Sequence, residues 1–562
     1  MSLLEPTWNK SVKEYDRALD PLGLSRVNNR MVGDLLPGFT SMTQRAGYYV
    51  FYTWAIAQIR RKKLTKSLPQ FKNAIYDLER LFMLSCIAHA ETAPENNHAH
   101  ITGMRKGRDS WNKNPDKIPL NIKFFGDKLG GYGQYYEKSM MHLGLAEWDD
   151  VDGYEKPTKL GLDMINHFTT LAVESGIMSQ YGKKSISKSK LTEMGEKLCL
   201  CKLGEWNNDK NLLRNTFFGF SGTRNKSSKA RQESFAMILS VIEQASTQNH
   251  KMTSQDFLDS VYFGGIQTVN DSIRIIIPPS LAELSKKWKI VKAHDNLAFA
   301  TESILQSFLG ILEMNHPKGL PLEDFFKIIF ENFDAELGNL LNRQNENLHN
   351  MTVRDMISGI LSGSEIVCDW DDISGTSKKF DTTISLSSEI SEKSFVTNLE
   401  GLLIDQSPNP CKISVNGILL VLFTALRMSW RMNPNDSSAV WLKQFQESDI
   451  GILEFTDFVR EHVKQNMSVV GFTREFILRY VILQAEKIYR DKINPNSNPK
   501  QWFHKSGSNY VRDRDYIAGP RSIRFESTLS ILHDLGVVNS TDDILECTES
   551  GRKMLGRVLG TA

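Results

Sequence analysis

The chain has 562 residues and a formal net charge of only +2, with 68 lysine and arginine residues against 66 aspartate and glutamate residues. At about 150 residues per domain, this length predicts roughly three or four domains. Because the charges balance, any nucleic-acid binding must come from local basic patches rather than from the bulk charge. No run of about 18 apolar residues and no signal-peptide core is present. We therefore expect a cytoplasmic protein without a membrane segment.

The first 120 residues predict a helical domain. The stretch "YYVFYTWAIAQIRRKK" (48–63) is apolar around most of its circumference, which predicts a buried helix that ends in a basic turn. Ahead of it, "LLPGFTSMTQR" (35–45) predicts a tight turn at Pro37-Gly38 and a helix cap at Thr40 or Ser41.

Arg45 then falls within the first turns of that helix, where the helix dipole disfavours a cation. We expect it to be held by a buried carboxylate such as Asp34 or Glu79, or to stack on Tyr48 or Tyr49. This makes Arg45 an architectural clamp rather than a catalytic residue.

Two segments share an unusual order of features, namely an apolar helix, a Leu-Gly stop, a polar hairpin and a Thr-x-x-Gly restart. They are residues 135–168 and 524–559, and 189–200 is a weaker fragment of the same kind. Glycine accepts the left-handed conformation that ends a helix, and the threonine hydroxyl caps the next one. This order is typical of a winged helix.

The expected fold class is therefore mainly α, a multidomain helical protein with winged-helix units. Residues 361–412 are rich in serine, threonine and aspartate without helical periodicity, which predicts an irregular linker or excursion. The predicted division is an N-terminal helical domain (1–120), a winged-helix-like domain (121–205), a helical domain (206–360), the linker (361–412), a second helical domain (413–498) and a C-terminal winged-helix-like domain (499–562).

Metal-binding residue types occur in two places. Cys199 and Cys201 form a Cys-x-Cys pair, which needs two further ligands to bind zinc. The segment "AHAETAPENNHAH" contains His89, His98 and His100, which would need a fourth donor such as Glu91 or Glu95. We interpret the cysteines as reduced thiols and the histidines as part of a polar surface loop, and we predict no metal and no cofactor.

The common enzyme motifs are missing from the sequence: there is no P-loop, no G-x-S-x-G elbow and no H-E-x-x-H. Two alternatives for a nuclease stay open. Arg343 and His349 resemble the Arg–His motif of HEPN-type ribonucleases, in which the imidazole moves a proton and the guanidinium holds the phosphate. The carboxylates of Asp369, Asp371 and Asp372 are a weaker candidate for a metal-dependent site. An enzyme is the less favoured class.

Basic segments with interleaved small residues occur at 58–66, 102–108, 181–190 and 222–231, and arginines cluster around the last winged segment. Lysine and arginine in such surroundings are suited to phosphate contacts. The predicted nucleic-acid-binding residues are Arg105, Lys106, Arg108, Arg224, Lys226, Arg512, Arg514, Arg521 and Arg524.

The segment "GDLLPGFTSMTQRAGYYVFYTWAI" (33–56) resembles the signature "LFPGxSTxxTRARYFLFxPW" of an uncharacterised bacterial protein family found among anti-phage defence and mobile-element genes. Gly47 departs from the signature, because an arginine or lysine is common there, and this removes one cation from the start of the helix. The resemblance covers about the first 170 residues. The matching positions are Leu36, Pro37, Gly38, Thr40, Thr43, Arg45, Ala46, Tyr48, Tyr49 and Trp54.

The resemblance implies a subunit of a multi-protein defence system that acts beside an ATPase, helicase or nuclease. Together with the basic segments, it predicts a non-catalytic DNA-binding or scaffold subunit whose nucleic-acid partner is double-stranded DNA. A protein-only adaptor, whose winged helices bind another subunit, is a further alternative because winged helices serve both purposes.

Overall fold

The computed structural model describes residues 20–123, 130–221, 226–268, 271–341, 348, 350–361, 373–405, 409–432, 436–445, 450–493, 501–521 and 523–561. Helices make up 66% of it and strands 8%, so the expected mainly α class is confirmed. All strand pairs in the described ranges are antiparallel, in sheets of two or three strands.

The α-helices of the described residues are, in chain order, α1 (Leu24–Leu35), α2 (Gly47–Arg61), α3 (Leu68–Thr92), α4 (Met104–Lys113), α5 (Glu137–Leu143), α6 (Lys159–Met164), α7 (Asn166–Ser175), α8 (Ile177–Gln180), α9 (Lys188–Leu198), α10 (Asn207–Phe217), α11 (Lys226–Ser246), α12 (Ser254–Phe263), α13 (Ala282–Met314), α14 (Leu322–Phe330), α15 (Phe333–Leu341), α16 (Val353–Leu361), α17 (Ile373–Thr383), α18 (Glu392–Ile404), α19 (Pro410–Arg431), α20 (Ser437–Lys443), α21 (Ile452–Lys464), α22 (Val469–Phe476), α23 (Leu483–Lys492), α24 (Phe525–Asp534) and α25 (Glu549–Leu559). The strands are β1 (Lys117–Pro119), β2 (Ala146–Asp149), β3 (Tyr154–Pro157), β4 (Ser185–Ser187), β5 (Gly265–Gln267), β6 (Ser272–Arg274), β7 (Leu320–Pro321), β8 (Phe503–Ser506), β9 (Asn509–Arg512), β10 (Val538–Thr541) and β11 (Ile544–Cys547).

The chain divides into two compact units, each built from three separated stretches. The first unit contains Met1–Met31, Leu258–Arg274 and Ala282–Arg521, and the second contains Val32–Phe257, Ile275–Leu281 and Ser522–Ala562. This differs from the predicted series of consecutive domains, because segments that pack together lie far apart in the sequence. The predicted C-terminal domain, 499–562, is itself divided between the two units.

In the first unit, α13 packs against α19, and α17, α18 and α21 pack on α19. The helical stretches 279–314 and 410–431 are long and apolar enough to cross a membrane. However, 78% and 94% of their most apolar windows are buried within the structure. Core helices of a folded protein can be as long and as apolar as membrane-spanning helices, and burial to this extent is typical of core helices.

Part of the predicted linker is helical and belongs to the core of the first unit. Arg427 of α19 is buried and pairs with Glu392 of α18, with Nε and Oε1 2.6 Å apart. It also pairs with Asp381 of α17, with Nη1 and Oδ1 2.6 Å apart. The prediction of an irregular segment is therefore wrong for α17 and α18, since buried contacts with α19 stabilise helices whose polar composition hides their periodicity.

In the second unit, residues 48–63 were predicted to form a buried helix with a basic end, and α2 confirms this prediction. All but three of its fifteen residues are buried, and the helix ends at Arg60-Arg61. Its aromatic rings pack on those of α3 and of a π-helical segment, Tyr132–Tyr136. Phe51 stacks on Phe82 with ring centroids 4.0 Å apart, and Tyr52 contacts Tyr136 with centroids 5.1 Å apart. The aromatic cluster of the sequence is thus the core of this unit.

Two helix–hairpin–helix units, α5-β2-β3-α6 and α24-β10-β11-α25, repeat the same local contacts. Gly144 and Gly536, which follow the leucines of the Leu-Gly stops, both have positive φ. Thr158 and Thr548 accept hydrogen bonds from the N–H groups of Gly161 and Gly551 at 3.1 and 3.0 Å. The predicted stops and caps are therefore confirmed in both copies.

Buried Glu79 makes the stability of the second unit depend on pH. Its carboxylate accepts hydrogen bonds from the N–H of Gly131, at 3.0 Å to each oxygen. Burial nevertheless raises the pKa of Glu79 from 4.5 to about 7. Since the folded state then binds a proton that the unfolded state has released, stability falls as pH rises from about 4.5 through 7.

We expect Glu79→Gln to flatten this dependence. A raised pKa of this size corresponds to roughly 2–3 kcal/mol between pH 5 and pH 8, and glutamine cannot ionise. The measurement is the change in the free energy of unfolding between the two pH values, compared between wild type and variant. Exposed Glu205→Gln is the matched control and should leave the pH dependence unchanged. An equally steep dependence in Glu79→Gln would contradict the assignment.

Candidate nucleic-acid interface

The guanidinium of Arg45 is buried and binds three partners. Its Nε lies 2.9 Å from Oδ2 of Asp534, and the two side chains are 2% and 6% exposed. Its Nη1 donates to the carbonyl oxygens of Asn97 and Ala99, at 3.2 and 2.8 Å. Burial alone lowers the pKa of Arg45, but the Asp534 carboxylate outweighs it, so that the pKa is raised. Arg45 is the predicted clamp, but its carboxylate partner is Asp534 and not Asp34 or Glu79.

Asp534 also provides the negative charge that the dipole of α2 favours at the N-terminus of the helix. The same Oδ2 accepts a hydrogen bond from the N–H of Ala46 at 2.9 Å, immediately before α2 begins at Gly47. Arg45 therefore precedes the helix, and the carboxylate sits at its N-terminus, where the dipole favours an anion. The predicted caps, Thr40 and Ser41, are wrong because they lie too far upstream of the first helical residue.

The Pro37-Gly38 turn is held by side chains that bind its carbonyl groups. Arg231 donates to the carbonyl of Pro37 at 3.0 Å, and Tyr49 donates to that of Gly38 at 2.9 Å. Arg524 donates to the carbonyls on either side of the turn, Leu36 at 3.2 Å and Phe39 at 2.7 Å. The motif residues therefore bind one another and the interior of their own unit.

Arg524 was predicted to contact nucleic acid, and the structure places it differently. Burial lowers the pKa values of Arg231 and Arg524 to about 10, so both remain cations at neutral pH. Because the guanidinium of Arg524 donates to the carbonyl groups of Leu36 and Phe39, it is held against the Pro37-Gly38 turn and does not face a phosphate.

Thr43, Tyr48 and Trp54 of the motif are also buried. Thr43 donates to the carbonyl of Thr40 at 3.0 Å, which closes the turn before α2. The hydroxyl of Tyr48 accepts from the N–H of Thr102 at 2.8 Å, and Trp54 packs edge-on against Phe168. All of them stabilise the second unit from within.

Three further predicted residues, Arg512, Arg514 and Arg521, belong to the first unit. Arg521 is buried against Glu302, and its N–H donates to Asp295 at 3.0 Å. Arg512 pairs with Asp515, and Arg514 lies over the ring of Trp502, 4.7 Å from its centroid. Arg521 forms a buried ion pair with Glu302, so its side chain is not available for the predicted phosphate contact.

The other predicted residues of the described chain are exposed. Arg105, Lys106 and Arg108 project from α4, and Lys226 begins α11. Of these, Arg108 pairs with Glu91 at 3.2 Å, and Lys106 donates to the carbonyl of Lys123 at 3.1 Å.

The structure joins α4 to a second basic segment. β1 pairs with β4, with Ile118 opposite Ile186 and both buried, so that Lys117 faces outward beside Ser187. Lys188 lies over the ring of Trp111 of α4, with its Nζ 4.5 Å from the centroid. We call the exposed cations gathered here, and Lys188 beside them, the basic surface: Arg105, Lys106, Arg108, Lys113, Lys117, Lys183, Lys184 and Lys188.

A cleft between α10 and α25 carries cations that the sequence reasoning missed. It encloses about 430 Å³ and is lined by Arg214, Lys553 and Arg557, with Glu549 at its edge. The guanidinium of Arg557 lies 3.8 Å from the ring centroid of Phe220. The basic positions of α25 were overlooked because they look like the solvated face of an ordinary amphipathic helix.

The histidines and the Cys-x-Cys pair come together in the second unit. His89 and His98 are buried, and their ring centroids are 5.2 Å apart, whereas His100 is exposed. The ligand atoms of His89, His98, Cys199 and Cys201 all lie within 4.8 Å of one another. The interpretation of a polar surface loop is wrong for the two buried histidines, since the fold places them against α9 and the turn after it.

Several predicted residues lie outside the described part of the chain, and their roles stay predictions: Arg224, Arg343, His349, Asp369, Asp371 and Asp372.

We expect Arg45→Leu and Asp534→Leu each to destabilise the protein by roughly 3–5 kcal/mol, because each leaves a buried charge without its partner. The double variant should lose less than the sum. The measurement is a double-mutant cycle on the free energy of unfolding. The exposed pair Arg460–Asp457 is the control, and its two losses should be small and additive. Additive losses at Arg45 and Asp534 would contradict the clamp.

The second unit thus contains a buried arginine clamp, an exposed basic surface and a group of four side chains of the types that can ligate a metal. The first two arise from segments that the sequence analysis singled out, and the third joins two patterns that it set aside. Comparison with protein-family models, with curated protein sequences and with solved structures finds no match to this chain.

Proposed function

We propose that the chain is a non-catalytic nucleic-acid-binding subunit that holds double-stranded DNA on the basic surface. The observation that carries this proposal is the pairing of β1 with β4, which places lysines from 183–188 beside the cations of α4. The two segments are separated by about 70 residues in the sequence, and neither is long enough to contact DNA strongly alone.

The chemistry of the basic surface is that of phosphate binding. All of its cations except half-buried Lys188 are exposed. The nearby exposed carboxylates are fewer: Asp109 and Asp116 lie in the same segments, and Glu91 pairs with Arg108. The indole ring of Trp111 lies beside these cations, with Lys188 over it, and adds an apolar surface next to the charged side chains. Each phosphate contact releases condensed counterions, so binding by about six cations gives a salt dependence with a slope near −5.

We further propose that the two helix–hairpin–helix units are winged helices. The Leu-Gly stop, the antiparallel hairpin and the threonine cap recur in both with the same contacts. Their hairpin tips are acidic, with Asp150 and Asp542 exposed. Because phosphates repel such tips, these units orient the chain or dock a protein, and the DNA contacts belong to the basic surface.

The N-terminal motif supports the biological setting. Residues 33–56 resemble the signature of a family encoded among anti-phage defence genes, and we propose that this chain works there beside an ATPase, helicase or nuclease. Its buried motif residues supply the scaffold for such a complex, and the cations supply the DNA contact. We place this complex in the cytoplasm.

We expect Arg105→Ala/Lys106→Ala/Arg108→Ala to weaken binding to duplex DNA by at least about tenfold at low salt, because up to three phosphate contacts are lost. The slope of log affinity against log salt should become less steep by about 1 for each lost contact. The measurement is fluorescence anisotropy with labelled duplex DNA, single-stranded DNA and RNA at several salt concentrations.

The matched control is Lys318→Ala/Lys327→Ala/Lys443→Ala, which removes the same number of exposed cations from the first unit. It should leave affinity and slope unchanged. If both triple variants weakened DNA affinity equally, the binding would depend only on the total charge of the protein and not on the basic surface. If the α4 variant kept wild-type, salt-sensitive DNA binding, the DNA interface would lie on another part of the protein.

A protein-only adaptor is the second candidate, and the acidic hairpin tips favour it. The first hairpin, β2-β3, also exposes Trp148 in its strand and Val151 at its tip, which are 45% and 93% exposed. If the purified chain ignores all three nucleic acids at low salt but forms a stable complex with a co-expressed subunit, this candidate replaces the first. Substitution of Trp148 and Val151 by serine should then weaken the complex.

A further inference from the structure

We propose that His89, His98, Cys199 and Cys201 bind one structural zinc ion. The proposal rests on the geometry of these four side chains and is independent of the proposed DNA binding. In the sequence, the two histidines and the two cysteines are separated by about 100 residues, and neither pair alone can complete a zinc site.

The distances fit a tetrahedral ion. Zinc with Zn–S bonds near 2.3 Å and Zn–N bonds near 2.0–2.1 Å holds its ligand atoms about 3.3–3.8 Å apart. The Sγ of Cys201 lies 3.3 Å from Nδ1 of His89, and the Sγ of Cys199 lies 3.5 Å from Nδ1 of His98. The widest separation within the group is no more than 4.8 Å, so a shift of about 1 Å closes it.

The ring of His98 is oriented by a hydrogen bond outside the group. Its Nε2 lies 2.9 Å from the carbonyl oxygen of Ala93. A carbonyl oxygen only accepts, so Nε2 carries the proton and the lone pair of Nδ1 points toward Cys199. Metal-binding histidines commonly use one nitrogen for the ion and the other for such a partner.

Four protein ligands leave no open position, which is the composition of a structural zinc site rather than a catalytic one. The ligands come from the last turn of α3, from the loop that leads to α4, and from the turn after α9. The same loop supplies the carbonyl groups of Asn97 and Ala99 that Arg45 binds. The ion and Arg45 therefore both hold this loop, through His98 and through the carbonyl groups of Asn97 and Ala99.

The four side chains could instead form two thiol–imidazole hydrogen bonds without an ion. In each, the sulfur would donate to the Nδ1 that it faces. Metal content separates the two arrangements directly, because zinc displaces both thiol protons and hydrogen-bonded thiols bind no metal.

The experiment measures zinc in the full-length protein, purified without chelator from zinc-supplemented cells, by inductively coupled plasma mass spectrometry. We expect one zinc per chain in wild type, and loss of most of it in Cys201→Ser. Wild-type protein without zinc, or Cys201→Ser with full zinc, would overturn the proposal. So would stoichiometric binding of another metal in place of zinc.

Two cysteine variants serve as controls. Cys411→Ser removes a buried thiol in the first unit and should keep the zinc. Cys86→Ser is the stringent control, because this buried thiol interacts with that of Cys199 but lies outside the four-residue group. It should also keep the zinc, and a loss there equal to that in Cys201→Ser would overturn the assigned ligand set.

Cobalt substitution keeps the proposal testable even where a variant folds poorly. Wild-type protein loaded with Co²⁺ should show the strong visible bands of a tetrahedral ion and a thiolate-to-cobalt charge-transfer band. His98→Gln should weaken the visible bands, and Cys201→Ser should lose most of the charge-transfer band, because it retains little metal and has only one of the two thiolates. An octahedral spectrum without charge transfer in wild type would exclude thiolate ligands.

Discussion

The buried pair between Arg45 and Asp534 is the interaction on which the second unit depends most. One carboxylate oxygen neutralises the guanidinium and accepts the N–H of Ala46 at the start of α2, at 2.9 Å in each case. The partners are 489 positions apart in the chain, so this contact joins the N-terminal helices to α24. A charge in this position cannot be left unpaired, because burial removes the water that would otherwise stabilise it.

The Arg45–Asp534 clamp also holds the loop that leads to the exposed basic surface. Arg45 holds the loop before α4 through the carbonyl groups of Asn97 and Ala99, and the same loop contributes His98 to the proposed zinc site. α4 follows directly and carries part of the basic surface. The proposed zinc ion and the clamp therefore act on one short loop, a polar segment outside regular secondary structure that leads into the helix carrying part of the basic surface.

The parts of the fold that were predicted correctly are those that local forces determine. The buried α2, the Leu-Gly stops and the threonine caps of Thr158 and Thr548 follow from side-chain periodicity and from hydrogen bonds within a few residues. The predicted linker failed at α17 and α18, because their helical state depends on the pairing of half-buried Asp381 and buried Glu392 with Arg427. The role predicted for Arg521 failed for a related reason, since exposure cannot be read from a charged residue alone.

The sequence by itself determined that the chain is mainly helical, that Arg45 needs a partner such as a buried carboxylate or an aromatic ring, and which short segments are basic. These properties follow from composition, periodicity and the cost of an unpaired buried charge. Only the tertiary structure decided that the carboxylate is Asp534, that β4 joins the cations of α4 to those of 183–188, and that two histidines meet two cysteines. Each of these contacts joins residues about 70 to 490 positions apart. At such distances many partners of the same chemistry compete, and the packing of the whole unit selects one of them.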